Sequence, residues 1–367
     1  MKKKQKIFVG VSGGVDSSVV AHLLKKDGHE VHGVFVKTWS QEWLPCTWLA
    51  EKRDAMRVCA ALDIPFHFLD AEQVYKDGVA DYMIAEYKMG RTPNPDVLCN
   101  RVIKFGALWD YAKAHGADAV ATGHYARVVS SNQVVDNRKT QNNDLSTTNY
   151  QLLTGSDFAK DQSYFLWMLT KDELAHVRFP IGHLDKNEVR RIAERADLFT
   201  AIKKDSQGIC FLGDVDMREF LSHYIEMKQG DVVDERGEVI GTHDGVWFYT
   251  LGERHGFTII NTKTNTSPYY VIAKDIEHNQ LVVSTQPKKA KTGKVTIVLR
   301  DTNWIEVIDH RHTYTAQIRY HGEFIPVKIA KSGEVSMKYD GLIALGQSLV
   351  IYDGNVLVGG GVIDSVK

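Results

Sequence analysis

Hydrophobic positions in the first half of the chain follow two alternating periods. Short apolar runs predict buried strands at Lys6 to Val11, Val31 to Lys37, Pro65 to Ala71 and Ala117 to Thr122. Apolar residues three and four positions apart predict helices between these runs, at Ser17 to Lys26, Glu51 to Leu62, Val79 to Tyr87 and Ile103 to His115. Strands that alternate with helices form a parallel sheet covered on both faces. The pattern therefore predicts an α/β, doubly wound N-terminal domain.

The pattern changes after this half. The segment from Ser130 to Asn149 is rich in Ser, Asn, Gln, Asp and Thr, which predicts a surface insertion. Helical periodicity returns after Asp185, a suitable N-cap for a helix over Lys186 to Ala196.

The last part of the chain, from about Met227, is rich in predicted strands. Short alternating or aromatic-rich runs occur at Gly245 to Leu251, Tyr269 to Lys274, Gln280 to Thr285, Lys294 to Arg300, Thr313 to Tyr320, Ile325 to Ala330, Ser348 to Tyr352 and Val356 to Gly359. The pair Asp353-Gly354 predicts a hairpin turn between the last two of these runs. We therefore expect a β-rich region made of two small units that meet near Gln286-Pro287.

Composition and charge exclude several classes of protein. The 367 residues are 43% hydrophobic and 25% charged, with a formal net charge of −1. The chain is thus not coated in positive charge, although a local basic surface would still bind nucleic acid. No apolar run reaches the roughly 20 residues of a membrane span, and no apolar signal-peptide region follows the basic start. We expect a cytoplasmic protein without membrane contact.

The cysteines fall into two groups. None of the four belongs to a CxxC pair, which argues against a zinc ribbon or finger. Cys59 lies on an apolar helical stripe and is expected in the core, and Cys46 is also expected to be structural. Cys99 and Cys210 lie in loops with flanking motifs, so we expect them to be the reactive thiols.

A glycine-rich loop follows the first predicted strand. Ser12-Gly13-Gly14-Val15-Asp16-Ser17 stands between this strand and a helix, where glycines admit a ligand close to the backbone and free N–H groups point outward. This arrangement binds phosphate. No Lys follows the glycines, so the loop is not the Walker A loop of a kinase or GTPase.

The loop resembles the SGGxDS loop of PP-loop ATP pyrophosphatases, which cleave ATP between the α and β phosphates and transfer AMP to an oxygen. The resemblance implies that Asp16 helps to hold Mg²⁺ and that its neighbours hold phosphate. The nucleotide-binding positions that it implies are Gly10, Val11, Ser12, Gly13, Gly14, Val15, Asp16, Ser17, Val36 and Gly123.

Two further segments narrow the chemistry. Gly90 to Asn100 contains Pro93-Asn94-Pro95-Asp96 and places a carboxylate three residues before Cys99. Asp205 to Phe211 places Cys210 after two lysines, and nearby cations favour a thiolate. These segments resemble the PNPDxxCN and DSxGICF motifs of bacterial tRNA-specific 2-thiouridylases, and the resemblance extends over nearly the whole chain.

The resemblance implies a mechanism and an architecture. ATP adenylates the C2 oxygen of the wobble uridine, and a persulfide on Cys210 supplies sulfur. Cys99 is the presumed nucleophile and Asp96 the candidate acid/base group. The implied domains are a PP-loop catalytic domain at 1–218, a small β-rich central domain at 219–287 and a C-terminal β-barrel-like domain at 288–367. A cysteine desulfurase or sulfur relay protein would donate the persulfide to a monomer.

The resemblance also implies a set of tRNA contacts. Thr122 to Arg127 matches a TGHYAR turn and Lys160 to Leu166 matches a KDQSYFL segment. The implied tRNA-binding residues are Asn94, Pro95, Asp96, His124, Lys160, Asp161, Gln162, Arg319, Tyr320 and Gln347. The C-terminal part also has a positive bias that suits RNA phosphates, from Lys288, Lys289, Lys291, Lys294, Arg300, Arg311, Arg319, Lys328 and Lys331.

One segment departs from the family pattern, and two other functions stay open. The family usually reads close to GQRKGLGIGG where this chain has Gly252 to Asn261, so the contacts of that loop are in doubt. One alternative is a PP-loop synthetase or amidotransferase that adenylates a small molecule and does not need Cys99 or Cys210. The other is a tRNA-binding protein that has lost catalysis; exchange between ATP and pyrophosphate would distinguish it.

Overall fold

The structure is a computed structural model that describes residues 3–41, 43, 47–130, 150–204, 216–260, 267–286 and 293–367. Cys210, Cys46 and most of the polar segment predicted as an insertion lie outside these ranges. The α-helices are α1 Val15–Lys26, α2 Trp48–Ala61, α3 Glu72–Tyr75, α4 Asp81–Lys88, α5 Pro95–Cys99, α6 Leu108–Ala114, α7 Lys171–Leu174, α8 Lys186–Arg195 and α9 Met217–Ser222. Within the described ranges, no helix is both long and apolar enough to cross a bilayer.

The strands form three sheets. The first sheet contains β1 Lys6–Gly10, β2 Glu30–Lys37, β3 Phe66–Asp70, β4 Ala119–Ala121 and β7 Val177–Arg178. The second contains β8 Gly230–Val233, β9 Val239–His243, β10 Thr258–Ile259, β11 Tyr270–Asp275 and β12 Gln280–Ser284. The third contains β5 Ala126–Ser130, β6 Tyr150–Thr154, β13 Gly293–Trp304, β14 Tyr314–Gln317, β15 Ile325–Ile329, β16 Val335–Tyr339, β17 Ser348–Asp353 and β18 Val356–Val366.

The first sheet is parallel and confirms the α/β prediction. Its order is β3-β2-β1-β4-β7, so the chain proceeds outward from β1 to β3 and then crosses to the other side of β1. In open α/β sheets ligands bind outside the carboxyl ends of the strands at such a change of direction. The glycine-rich loop after β1 and the segment after β4 both lie there. The topology therefore places these two motifs side by side.

The two β-rich units are also confirmed. The central sheet has the order β10-β9-β8-β12-β11, and strands β13 to β18 close into a six-stranded barrel because β13 pairs with both β16 and β18. The hairpin β5–β6 joins this barrel through the pairing of Leu153 with Val356. The sheet of the barrel thus continues into a hairpin that follows β4 in the chain.

One predicted strand is wrong. Gly245 to Leu251 contains a 3₁₀ turn at Val246–Phe248 instead. The side chain of His243 accepts a hydrogen bond from the Gly245 N–H at 2.9 Å, and Asn279 Oδ1 accepts one from Val246 N–H at 3.0 Å. These N–H groups are therefore satisfied by side chains rather than by a neighbouring strand.

The N-terminal domain and the barrel share a buried ion-pair cluster. Glu86 on α4 is buried, and its carboxylate accepts hydrogen bonds from Arg300 of β13 at 2.6 Å and from Arg91 at 3.3 Å. Arg300 was predicted to face RNA, but this pairing places it against the N-terminal domain. A buried carboxylate with two cations on it holds the two domains in a defined register.

We expect Glu86→Gln to lower the free energy of unfolding by about 3 kcal/mol, because it removes the buried counter-charge that Arg91 and Arg300 share. Arg300 retains the more exposed carboxylates of Asp301 and Asp364. Urea denaturation followed by circular dichroism measures this change. Asp81→Asn is the matched control, since Asp81 lies on the same helix and pairs with Lys76 at the exposed surface. It should leave the transition where it is. Equal shifts for both variants would contradict the role assigned to Glu86.

Candidate functional site

The glycine-rich loop has the geometry of a phosphate site. Gly13 has φ of +74°, a conformation that favours glycine, and a Cβ there would lie 2.7 Å from Asp54 Cβ. Gly14 is the N-cap of α1, and among the described residues no side chain caps the helix. The first N–H groups of α1 therefore remain available to an anion. Ser12 and Ser17 lie on the same loop with their hydroxyl oxygens 3.3 Å apart.

Asp16 lies in the first turn of α1 and is surrounded by donors. Lys186 Nζ lies 2.8 Å from both carboxylate oxygens of Asp16, and the Tyr125 hydroxyl donates to Oδ1 at 2.9 Å. The carboxylate therefore already attracts a cation in this structure. A hard oxygen ligand beside a phosphate-binding loop suits Mg²⁺, which takes one or two carboxylates and completes its shell with phosphate and water. Among the described residues no group of three His, Cys, Asp or Glu side chains converges on a metal site.

The segment after β4 packs directly on this loop. A Cβ on Gly123 would lie 3.0 Å from Asp16 Cβ and 3.2 Å from the Ser17 nitrogen, so only glycine fits there without moving α1. Val36, another predicted nucleotide-binding residue, is buried in the neighbouring β2. Gly123 thus belongs to the same site as the glycine-rich loop.

His124, predicted to contact tRNA, is buried. Lys104 Nζ lies 3.3 Å from its Nε2, and Thr122 Oγ1 lies 2.7 Å from its Nδ1. An ammonium group only donates, so Nε2 accepts from Lys104 and Nδ1–H donates to Thr122. Burial, with the charge of Lys104 as a second cause, holds the pKa of His124 well below 6.5. His124 is therefore a neutral histidine that orients Lys104.

The lowered pKa of His124 predicts acid destabilisation. A histidine whose pKa is lower in the folded than in the unfolded state favours folding fully above about pH 6.5 and loses that contribution as the pH falls below it. The free energy of unfolding should therefore decrease from pH 7 to pH 5, by up to about 1.4 kcal/mol per pH unit for this group. Urea titrations at several pH values measure the slope. His124→Gln should flatten it, and an unchanged slope would contradict the assignment.

The segment that contains Cys99 was expected to be a loop, but it is helical, because Pro95 stands in the first turn of α5, where its missing N–H costs nothing. Asn94 precedes the first turn, Pro95 occupies it, and α5 ends at the buried Cys99. The helix then continues as a π-helical segment at Asn100–Ala107 before α6. Such segments are rare and frequently occur at functional sites. This π-helical segment contains Lys104, so it connects the predicted thiol with the buried His124.

The barrel holds the loop in front of Cys99. Gln347 Nε2 donates to the carbonyl oxygens of Thr92 at 2.9 Å and Pro93 at 3.2 Å, and Thr92 N–H donates to Leu345 O at 2.8 Å. Gln347 was predicted to contact tRNA, and in this structure its side-chain N–H groups donate within the protein. A Cβ on Gly346, which has φ of +91°, would lie 3.1 Å from the Thr92 backbone. The barrel therefore positions the segment that carries Asp96 and Cys99.

The other predicted tRNA-binding residues lie near each other. Asp161 and Tyr320 both line one open cavity, whose remaining walls are Phe158, Ala159, Gln317 and His321. Asp161 is buried and accepts hydrogen bonds from Gly155 N–H at 2.7 Å and Ser163 N–H at 3.1 Å. Burial, with the charges of Asp161 and Asp96, raises the pKa of Tyr320 to about 12. The exposed Arg319 and the partly exposed Lys160 flank this region in sequence.

The same region connects with the nucleotide loop through Tyr125. Gln162 Oε1 accepts a hydrogen bond from Tyr125 N–H at 3.2 Å, and Gln162 N–H donates to Tyr125 O at 2.9 Å. Tyr125 in turn donates to Asp16. The structure thus brings together the predicted nucleotide residues, the segment at 160–162 and the helix of Cys99, all from distant parts of the sequence.

The remaining sequence expectations have simple outcomes. Cys59 is a core residue, as predicted, and burial raises its pKa to about 11. In the segment 252–260, which departs from the family pattern, Glu253 Oε2 accepts a hydrogen bond from Thr250 N–H at 2.9 Å and stabilises a turn. Lys104 and Lys186 were not identified from the sequence as site residues, and Lys203 was noted only as a cation before Cys210. They belong to no phosphate-binding motif adjacent to the glycines, so only the fold reveals them.

Sequence models of three families match the chain in succession. The tRNA methyl transferase HUP domain matches residues 5–214, the tRNA methyl transferase PRC-barrel domain matches 218–285, and the Aminomethyltransferase beta-barrel domain matches 294–363. The first of these alone covers more than half of the chain.

Curated relatives match over nearly their full length. The chain is 42% identical over 370 residues to the tRNA-specific 2-thiouridylase MnmA of Geobacillus thermodenitrificans, covering 98% of this chain and 95% of the relative. It is 42% identical over 373 residues to the protein of that name from Oceanobacillus iheyensis, covering 99% and 96%. The corresponding values for Proteus mirabilis are 40% over 373 residues, covering 99% and 98%. This chain therefore belongs to the family of tRNA-specific 2-thiouridylases.

Proposed function

We propose that this protein is an ATP-dependent tRNA sulfurtransferase that converts the wobble uridine of tRNA to 2-thiouridine, releasing AMP and pyrophosphate. The observation that carries the proposal is the contact between two sites. Gly123 packs on Asp16 of the glycine-rich loop, and the adjacent His124 holds Lys104. Lys104 lies in the π-helical segment that continues α5, the helix that carries Asp96 and Cys99. This connection between the glycine-rich loop and the segment of Cys99 supports a single site for adenylation and sulfur transfer.

The glycine-rich loop performs the first step. The C2 oxygen of uridine is a poor leaving group. Its attack on the α phosphate of ATP releases pyrophosphate and adenylates the oxygen, so that AMP becomes the leaving group of the next step. Free N–H groups at the start of α1 are suited to hold phosphate oxygens. Mg²⁺, when bound, neutralises phosphate charge, and Asp16 is the residue that would hold it.

The two thiols perform the second step. The terminal sulfur of a Cys210 persulfide attacks C2, AMP leaves, and the base stays linked to Cys210 through two sulfurs. Cys99 then attacks the sulfur of Cys210, which forms a disulfide and releases 2-thiouridine. A thiol reductant restores both cysteines. Asp96, three residues before Cys99, is the candidate group for the proton transfers.

The substrate and partners follow from the same chemistry. A wobble base reaches the loop only when it is unstacked. The segment Asn94 to Asp96 would form one wall for such a base, and the charge of Asp96 acts on the nearby Tyr320. Residues 1–218 would perform the chemistry, while 219–287 and 288–367 position the tRNA. The sulfur comes from a persulfide on a donor such as a cysteine desulfurase or a sulfur relay protein. We propose that the protein acts as a monomer in the cytoplasm, where ATP and tRNA are available.

The proposal is tested by reconstitution. Purified protein is incubated with ATP, Mg²⁺, a protein persulfide donor and unmodified tRNA, and the tRNA nucleosides are analysed by mass spectrometry. We expect 2-thiouridine together with one AMP and one pyrophosphate for each base modified. Pyrophosphate release that proceeds equally without tRNA would instead indicate a small-molecule synthetase. Absence of both nucleotide turnover and thiolation would overturn the enzymatic function.

A further inference from the structure

The phosphate loop lacks a lysine of its own, and the fold supplies one from a distant helix. Lys186 is the first residue of α8, whose N-cap is Asp185. Its ammonium lies 2.8 Å from both oxygens of Asp16, and the two side chains are 13% and 31% exposed, so the pair is partly shielded from water. The ammonium also lies 5.8 Å from the centre of the Tyr125 ring. Lys186 is thus held beside Asp16 at the end of the glycine-rich loop.

This ion pair conflicts with the role of Asp16 in the proposed function. Asp16 Oδ1 already accepts from Tyr125, and both oxygens face the Lys186 ammonium. Mg²⁺ and an ammonium group repel each other when they share one carboxylate at close range. Binding of Mg²⁺ at Asp16 therefore requires Lys186 to move. The β and γ phosphates of a nucleotide bound at the loop would then offer Lys186 a new anionic partner.

A second lysine, Lys203, also contacts the glycine-rich loop. Lys203 Nζ donates to the carbonyl oxygen of Gly13 at 3.1 Å and to Asp54 Oδ2 at 2.7 Å. Lys203 already has a carboxylate partner outside the nucleotide site and neutralises Asp54 there. Lys186, by contrast, pairs with the one carboxylate that the metal needs. Lys186 is therefore the residue whose partner must change on nucleotide binding.

We propose that Lys186 is the phosphate-binding lysine of this site, and that it exchanges the Asp16 carboxylate for the β and γ phosphates when Mg²⁺ and ATP bind. The inference rests on the proposed use of ATP. In the absence of nucleotide, Lys186 neutralises Asp16 and keeps the loop in position. In its presence, Lys186 holds the pyrophosphate part of ATP, which is the leaving group of the adenylation step. It acts as a positioning residue for that group.

The test compares nucleotides with and without the phosphates that Lys186 should hold. Dissociation constants of ATP and AMP are measured by calorimetry in the presence of Mg²⁺, for the wild-type protein and for Lys186→Met. We expect the ATP constant to rise about ten- to a hundredfold, the value of one charge-assisted contact, while the AMP constant stays within about twofold. Arg191→Met is the control, because Arg191 is an exposed cation on the same helix. It should change neither constant.

A second variant separates charge from structure. Lys186→Arg keeps the positive charge and should recover most of the ATP affinity, with a melting temperature close to that of Lys186→Met. The inference would be overturned if Lys186→Met weakened the binding of ATP and AMP equally, or if Lys186→Arg bound ATP as weakly as Lys186→Met. Either result would assign Lys186 a purely structural role. Wild-type protein that binds no ATP would refute the proposed function itself. Normal ATP binding by Lys186→Met would refute only the role of Lys186.

Discussion

Replacing Cys99 or Cys210 with serine is expected to abolish 2-thiouridine formation while ATP binding stays unchanged. Serine cannot carry a persulfide or form a disulfide, and both steps of the proposed sulfur transfer need one of these bonds. Cys99 is buried at the end of α5, at the start of the π-helical segment that contains Lys104. The two variants should differ in one respect. Cys99→Ser still accepts a persulfide on Cys210, whereas Cys210→Ser should not.

The measurement combines nucleoside mass spectrometry of the tRNA with intact-protein mass spectrometry after exposure to a persulfide donor. Cys59→Ala is the control, since Cys59 lies in the core beneath Gly33, outside the site. It should retain thiolation. If both serine variants still thiolated tRNA at the wild-type rate, the two-cysteine mechanism would be wrong, although the family assignment would stand.

Gly13→Ala should reduce pyrophosphate release by about a hundredfold or more, because small displacements of a group that positions substrate have effects of that size. A Cβ at Gly13 would lie 2.7 Å from Asp54 Cβ and 3.0 Å from the Glu51 carbonyl oxygen, so the loop must shift away from α2. The residue also has φ of +74°, which disfavours alanine. Pyrophosphate release in the presence of tRNA measures the effect.

Gly28→Ala provides a matched control for the backbone strain. Gly28 has φ of +84°, and no atom in the part of the chain that the structure describes lies within 4 Å of a Cβ built there. Both variants should lose about 1 kcal/mol of stability from the left-handed conformation, but only Gly13→Ala should lose activity. Full activity in Gly13→Ala would show that the loop does not position the phosphates of ATP.

Local patterns in the sequence were sufficient to predict those elements whose structure depends on residues that are neighbours in the chain. The alternation of strands and helices predicted the parallel sheet, and Asp185 is the N-cap of α8, where its carboxylate accepts from Glu188 N–H at 2.8 Å. The glycines of the phosphate loop were recognisable because a tight strand-to-helix turn restricts which residues fit. The departure from prediction at Gly245 has the opposite cause, since Asn279, far away in sequence, satisfies the N–H group of the next residue.

Which distant residues meet at the candidate site depended on the tertiary structure. Lys186 reaches Asp16, Gln347 holds the carbonyl groups of Thr92 and Pro93, and Arg300 pairs with Glu86, all across long separations in sequence. Periodicity and motifs describe which face of an element is buried, but not which distant side chain packs against it. The sequence by itself thus determined the α/β and β-rich parts, and it predicted the phosphate-binding loop and the reactive cysteines. Only the folded chain decided which cation faces Asp16, because that contact exists only where α1 and α8 pack together.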